Sequence, residues 1–154
     1  ARELTRLGAG DALIPWAAFV VIALGLAGCV YGGGVSRRRG SLWVARAALA
    51  ASGLLCLLYP LLGGLSPFLL LALLLVWGFT VIADSPQLSA LAAATAPRER
   101  IGSTLAVMNA VGFALTIPAI YLVSGLWSEL DLRVAWLLLP GPVVGLFYLF
   151  RARL

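Results

Sequence analysis

Apolar residues run almost unbroken through five stretches, roughly residues 12–34, 42–63, 67–95, 103–126 and 134–150, and charge is confined to the gaps with two exceptions. The exceptions are Arg46, near the start of the second stretch, and Asp84, well inside the third. Each stretch approaches or exceeds the ~20 residues that cross ~30 Å of hydrocarbon at ~1.5 Å per residue. The pattern predicts an all-α polytopic membrane protein with five transmembrane helices and almost no soluble mass.

Composition points the same way, since 62% hydrophobic and 11% charged residues are more than one soluble core could hide. The 11 basic residues are all arginine and sit dispersed in short loops, so the net charge of +5 describes no nucleic-acid-binding face. Arg37, Arg38, Arg39 and Arg46 follow the first stretch, Arg98 and Arg100 the third, Arg151 and Arg153 the fifth. The alternate gaps hold Arg2, Arg6 and Arg133 with Glu3, Asp11, Glu129 and Asp131, and an uncharged turn from Leu61 to Ser66. Eight arginines against three predicts an N-terminus outside and a C-terminus in the cytoplasm. A bacterial inner membrane is the expected location. Because the chain begins at Ala1 and carries its one methionine at Met108, it is expected to be a fragment of a longer protein.

The cysteines, Cys29 and Cys56, fall in opposite halves of the first two stretches and read as small buried residues, not a disulfide. Without histidine no zinc site is expected, and no cofactor. Gly25, Gly28 and Gly32, and Gly141 with Gly145, form small-residue ridges of G-x-x-x-G type that let another helix approach closely. Pro15, Pro118, Pro140 and Pro142 are expected to bend or open their helices.

The third stretch carries the candidate chemistry. Thr80, Asp84 and Gln87 share one helical face, with Trp77 before them and Ser85 and Pro86 beside them. Counting ~1.5 Å per residue from Pro97 sets Asp84 ~20 Å from the turn, inside the hydrocarbon, where facing lipid would cost about 2.5–3.5 kcal/mol even on the lower scales. Asp84 reads either as a proton or cation carrier, or as an acid that bonds hydroxyls or backbone groups at the Ser85–Pro86 break or pairs with a basic residue missing from this fragment. In the fourth stretch Asn109, Gly112 and Thr116 form a second stripe, either cavity lining or interhelical bonding. Trp77 is a cavity wall or a packing residue.

Gly33-Gly34-Val35-Ser36-Arg37-Arg38-Arg39-Gly40 resembles the G-x-x-x-D-R-x-G signature of the major facilitator superfamily, with Arg37 at the acidic position. That departure is closer to the weaker copy between helices eight and nine. Ala96-Pro97-Arg98-Glu99-Arg100-Ile101-Gly102 is similar to the charged loop between helices ten and eleven. A five-span segment that starts outside and ends inside would then be helices eight to twelve, making residues 1–154 part of the C-terminal bundle.

The resemblance implies a secondary transporter that moves a small solute by alternating access, with or without proton coupling, together with a missing N-terminal half. It implies that the third stretch lines the cavity, that the fourth packs between the halves, and that the second and fifth lie outside the bundle. Asp84 would carry the coupling ion, Gln87, Thr80, Asn109 and Thr116 would line the cavity, and Trp77 would wall it. Gly33, Arg37, Arg38, Arg39 and Gly40 would form a cytoplasmic loop that anchors and gates. Partners are the solute, protons and membrane lipid. An enzyme is not expected, because neither a nucleophile–base pair nor a metal site can be assembled. A non-transporting membrane subunit is the rival reading.

Overall fold

The computed structural model describes residues 13–62 and 66–151. Arg2, Glu3, Arg6, Asp11, Arg153 and residues 63–65 of the uncharged turn lie outside them. Among the described residues every regular element is helical: α1 (Leu13–Arg39), α2 (Ser41–Leu62), α3 (Pro67–Val81), α4 (Asp84–Thr95), α5 (Ile101–Leu130) and α6 (Pro140–Arg151). A 3₁₀ turn, Arg98–Arg100, precedes α5, and a longer 3₁₀ segment, Asp131–Leu138, precedes α6. Four helical stretches, Pro15–Arg39, Ser41–Leu62, Phe68–Thr95 and Arg98–Arg151, are long and apolar enough to cross a membrane.

The expected arginine loop is not a loop. α1 continues through Arg39, with Ser36 Oγ donating to the Gly33 carbonyl and three arginines in its last turn, where cations suit the helix dipole. Gly40 alone joins α1 to α2. Its φ of +85° and its N–H bond to the Ser36 carbonyl (2.9 Å) make a left-handed helix cap that favours glycine.

The third stretch is interrupted at Ile82–Ala83, which both keep right-handed helical backbone angles, upstream of the expected Ser85–Pro86 position. Pro86 explains the offset: it has no N–H to give the carbonyl four residues back, that of Ile82. Cys29 Sγ on α1 donates to that carbonyl at 3.3 Å, satisfying a group that hydrocarbon cannot. Both cysteines are free, and Cys56 is buried.

α1 and α3 run parallel and touch through glycine. A Cβ on Gly28 would collide with the carbonyl of Phe79, and one on Gly78 would sit 2.5 Å from the Val21 carbonyl. Gly32 continues the ridge against Ala83 and Val44. In the other ridge only Gly145 faces a neighbour, Leu49, while Gly141 is open.

α2 is the hub, in contact with α1, α3, α4, α6 and the long 3₁₀ segment. This corrects the expectation that the second stretch lies outside the bundle. Ala45, Ala48, Ser52, Gly53 and Cys56 are small and buried, so α2 can be packed from several sides. At one end Tyr59, Leu70, Leu132 and Ala135 form a core cluster joined by Trp77.

The chain reverses at Asp131, whose φ of +51° ends α5. From there the 3₁₀ segment and α6 run antiparallel to α2, from Leu132 beside Tyr59 to Leu149 beside Arg46. Pro140 and Pro142 withhold the N–H groups that α-helical pairing would give Trp136 and Leu138, and the Leu139 N–H bonds the Trp136 carbonyl instead (3.1 Å). By contrast, α5 passes through Pro118 unbroken.

Arg46 fastens the far end, donating from Nε (3.2 Å) and Nη2 (2.6 Å) to the Leu149 carbonyl, with its guanidinium 4.9 Å over Phe150. Arg46→Gln is expected to destabilise the chain by about 1.5–3 kcal/mol, the range for charged hydrogen bonds, read as a lower unfolding midpoint in detergent. An unchanged midpoint would remove Arg46 as a fastening.

Candidate functional site

Five of the expected site residues line two separate cavities, Thr80, Arg38 and Arg39 the first and Asn109 and Thr116 the second, and the others line neither. The first is a cavity of about 480 Å³ among α1, α2 and α3, lined by Gly28, Gly32, Val44, Ala48, Phe79, Thr80 and Ala83, with Tyr31, Arg38, Arg39 and Trp43 at its exposed end. The second, of about 310 Å³, lies between α4 and α5 and is lined by Ser85, Leu88, Ser89, Met108, Asn109, Gly112, Phe113 and Thr116. Thr116 also borders an apolar cavity of about 450 Å³ that reaches Leu138.

Thr80 belongs to the first cavity, and its hydroxyl is spent within its own helix, on the carbonyls of Val76 (3.0 Å) and Trp77 (3.2 Å). Thr80 and Asp84 lie on either side of the Ile82–Ala83 interruption. Asp84 opens α4, where a carboxylate complements the helix N-terminus, and it accepts a hydrogen bond from Ser85 Oγ at 3.3 Å. It is half-buried, lines neither of the two cavities, and among the described residues has no ion pair. Gln87, 3% exposed, is the buried residue of α4.

Asp84 is shallower than counting along its own helix suggests. Its neighbour Ala83 lies level with Gly32 of α1, and α1 ends seven residues further on, at Arg39. At ~1.5 Å per residue, Asp84 is therefore only ~10 Å from the arginine-bearing end of α1.

Trp77 packs in the core. Its Nε1 donates to Ser52 Oγ on α2 (3.3 Å), and its ring lies 5.5 Å from that of Tyr59. Trp77→Phe is expected to lower stability by about 0.5–1.5 kcal/mol, the value of one hydrogen bond, read as a lower unfolding midpoint in detergent. An unchanged midpoint would remove the Trp77–Ser52 bond as a core contact.

On the other side, Asn109 and Thr116 do share a cavity, with Ser85 and Ser89 across from them. Thr116 Oγ1 donates to the Gly112 carbonyl of its own helix (2.8 Å), so it presents lone pairs. Ser89 was not foreseen, although its i, i+4 spacing from Ser85 marks one face of α4. Of the Gly33–Gly40 segment, Val35, Arg38 and Arg39 reach the first cavity, whereas Gly33, Arg37 and Gly40 do not line it. The guanidinium of Arg39 lies 4.7 Å over Trp43. Among the described residues no cluster of three metal-ligating side chains occurs.

No family model, curated protein or solved structure matches the chain.

Proposed function

We propose that the chain is part of a secondary active transporter, a C-terminal portion of a major facilitator, that carries a small solute by alternating access with Asp84 as the coupling carboxylate. The observation that carries this reading is a carboxylate inside one membrane-length apolar helical stretch, just after an interruption of its hydrogen bonding at Ile82–Ala83, with no ion pair among the described residues. Discontinuous helices of this kind supply ion and substrate sites in transporters built from repeats, and ionisable groups inside membranes tend to be functional.

The α4–α5 cavity is the solute-facing surface in this reading, with Ser85, Ser89, Asn109 and Thr116 offering hydrogen bonds along apolar walls. α5 has no buried residue, which suits a helix whose partner is the missing half. The 3₁₀ segment and α6, alongside α2, make the fifth crossing. The arginine-bearing end faces the cytoplasm, and a bacterial inner membrane is the proposed location.

Alternating access can be tested without a known solute. In a chain bearing Cys29→Ser and Cys56→Ala, Ser89→Cys in the full-length protein is expected to react with a membrane-impermeant maleimide from either face, in right-side-out and inverted vesicles. Labelling from one face only would favour the non-transporting subunit.

A further inference from the structure

The cavity among α1, α2 and α3 has no part in that mechanism, and its chemistry is divided. Gly28, Gly32, Val44 and Phe79 give it apolar walls, while Arg38 and Arg39 stand at its exposed end without an ion pair among the described residues. Thr80 has given its hydroxyl proton to Val76 and Trp77, so the guanidinium groups are the strong donors. Arg39 is held against the face of Trp43, a residue type that settles at the headgroup level.

We infer that this cavity binds one anionic phospholipid of the leaflet at the arginine-bearing end, its headgroup on Arg38 and Arg39 and the start of an acyl chain against Phe79 and Val44. A small hydrated anion would gain the two charges but would have to shed water against the apolar walls. An amphiphile satisfies both ends. Basic pockets between membrane helices are known to take such headgroups, and the space amounts to about 480 Å³. The site requires membrane embedding but not transport, so either proposal can fail alone.

The test uses the whole chain in neutral detergent, titrated with phosphatidylglycerol or phosphatidylcholine brominated on the acyl chain. Quenching is read as the difference between the unsubstituted protein and Trp43→Phe, which isolates Trp43. Phosphatidylglycerol is expected to quench at roughly 25-fold lower concentration, from about fivefold per arginine. Arg38→Gln with Arg39→Gln should erase the preference, while Arg37→Gln, outside the cavity, should keep it. Equal quenching by the two lipids on the unsubstituted chain would overturn the site, whether or not the double variant folds. So would an equal loss in Arg37→Gln, which means diffuse charge, or displacement of the lipid by inorganic phosphate, which means a soluble-anion site.

Discussion

Under the transport proposed above, Asp84→Asn is expected to abolish the response to a pH gradient while leaving the helices in place. The substitution keeps the shape and hydrogen-bonding reach of the side chain but holds it neutral, so it can no longer be charged on one side of the cycle and discharged on the other. Coupling free energies of 1–3 kcal/mol correspond to 5–150-fold effects, and at least a roughly tenfold loss of gradient-driven flux is expected in liposomes containing the full-length protein and an entrapped pH dye. Downhill exchange of solute at equal pH should survive. The competing role is visible in the fold: Asp84 begins α4, and an acid there stabilises a helix N-terminus by about 0.3–1 kcal/mol. A variant that loses only that much stability and transports with normal pH dependence would leave Asp84 as a helix-end residue.

The second large effect is structural. Gly28→Ala should destabilise the chain by about 1–3 kcal/mol or more, because its new methyl group would meet the Phe79 carbonyl and neither backbone can yield without parting α1 from α3. Gly34→Ala, six residues along the same helix, meets nothing within 4 Å and should be neutral or stabilising by helix propensity, up to about 1 kcal/mol. The pair is compared by thermal unfolding in detergent. Equal midpoints would mean that α1 and α3 do not approach through Gly28.

Separating α1 from α3 should also reach the Ile82 carbonyl, whose hydrogen bond comes from Cys29, one residue past Gly28. The glycine contact, the cysteine bond and the proline break form one local unit. Its parts are 50 or more residues apart in the chain, which is why the ridge could be recognised in the sequence as a packing surface while its partner could not. Gly28 announces that something comes close; only the fold identifies Phe79.

The polar residues show the same division. Asn109 and Thr116 were legible as a stripe, since i, i+7 spacing survives in an unbroken α-helix, and α5 is unbroken. The Thr80–Asp84–Gln87 stripe spans the Ile82–Ala83 interruption, where Pro86 removes one hydrogen bond four residues upstream. Trp77 and Ser52 both lie in apolar stretches with nothing local to mark them as partners. Arg38, Arg39 and Thr80 share a cavity because Gly40 closes the link between α1 and α2 to one residue, so that the arginines remain helical and close to α3.

The all-helical class and the apolar stretches follow from the order of residues, because hydrophobicity and helical periodicity are properties of neighbours along the chain. Four stretches suited to a membrane are found in the structure, the last of them long enough to include a reversal at Asp131. Tertiary packing decided the rest: α2 as hub, Trp77 in the core, the depth of Asp84, and two cavities where one was expected. Each depends on which helices stand side by side, and that is settled by close contacts between small residues far apart in sequence, which local periodicity does not encode.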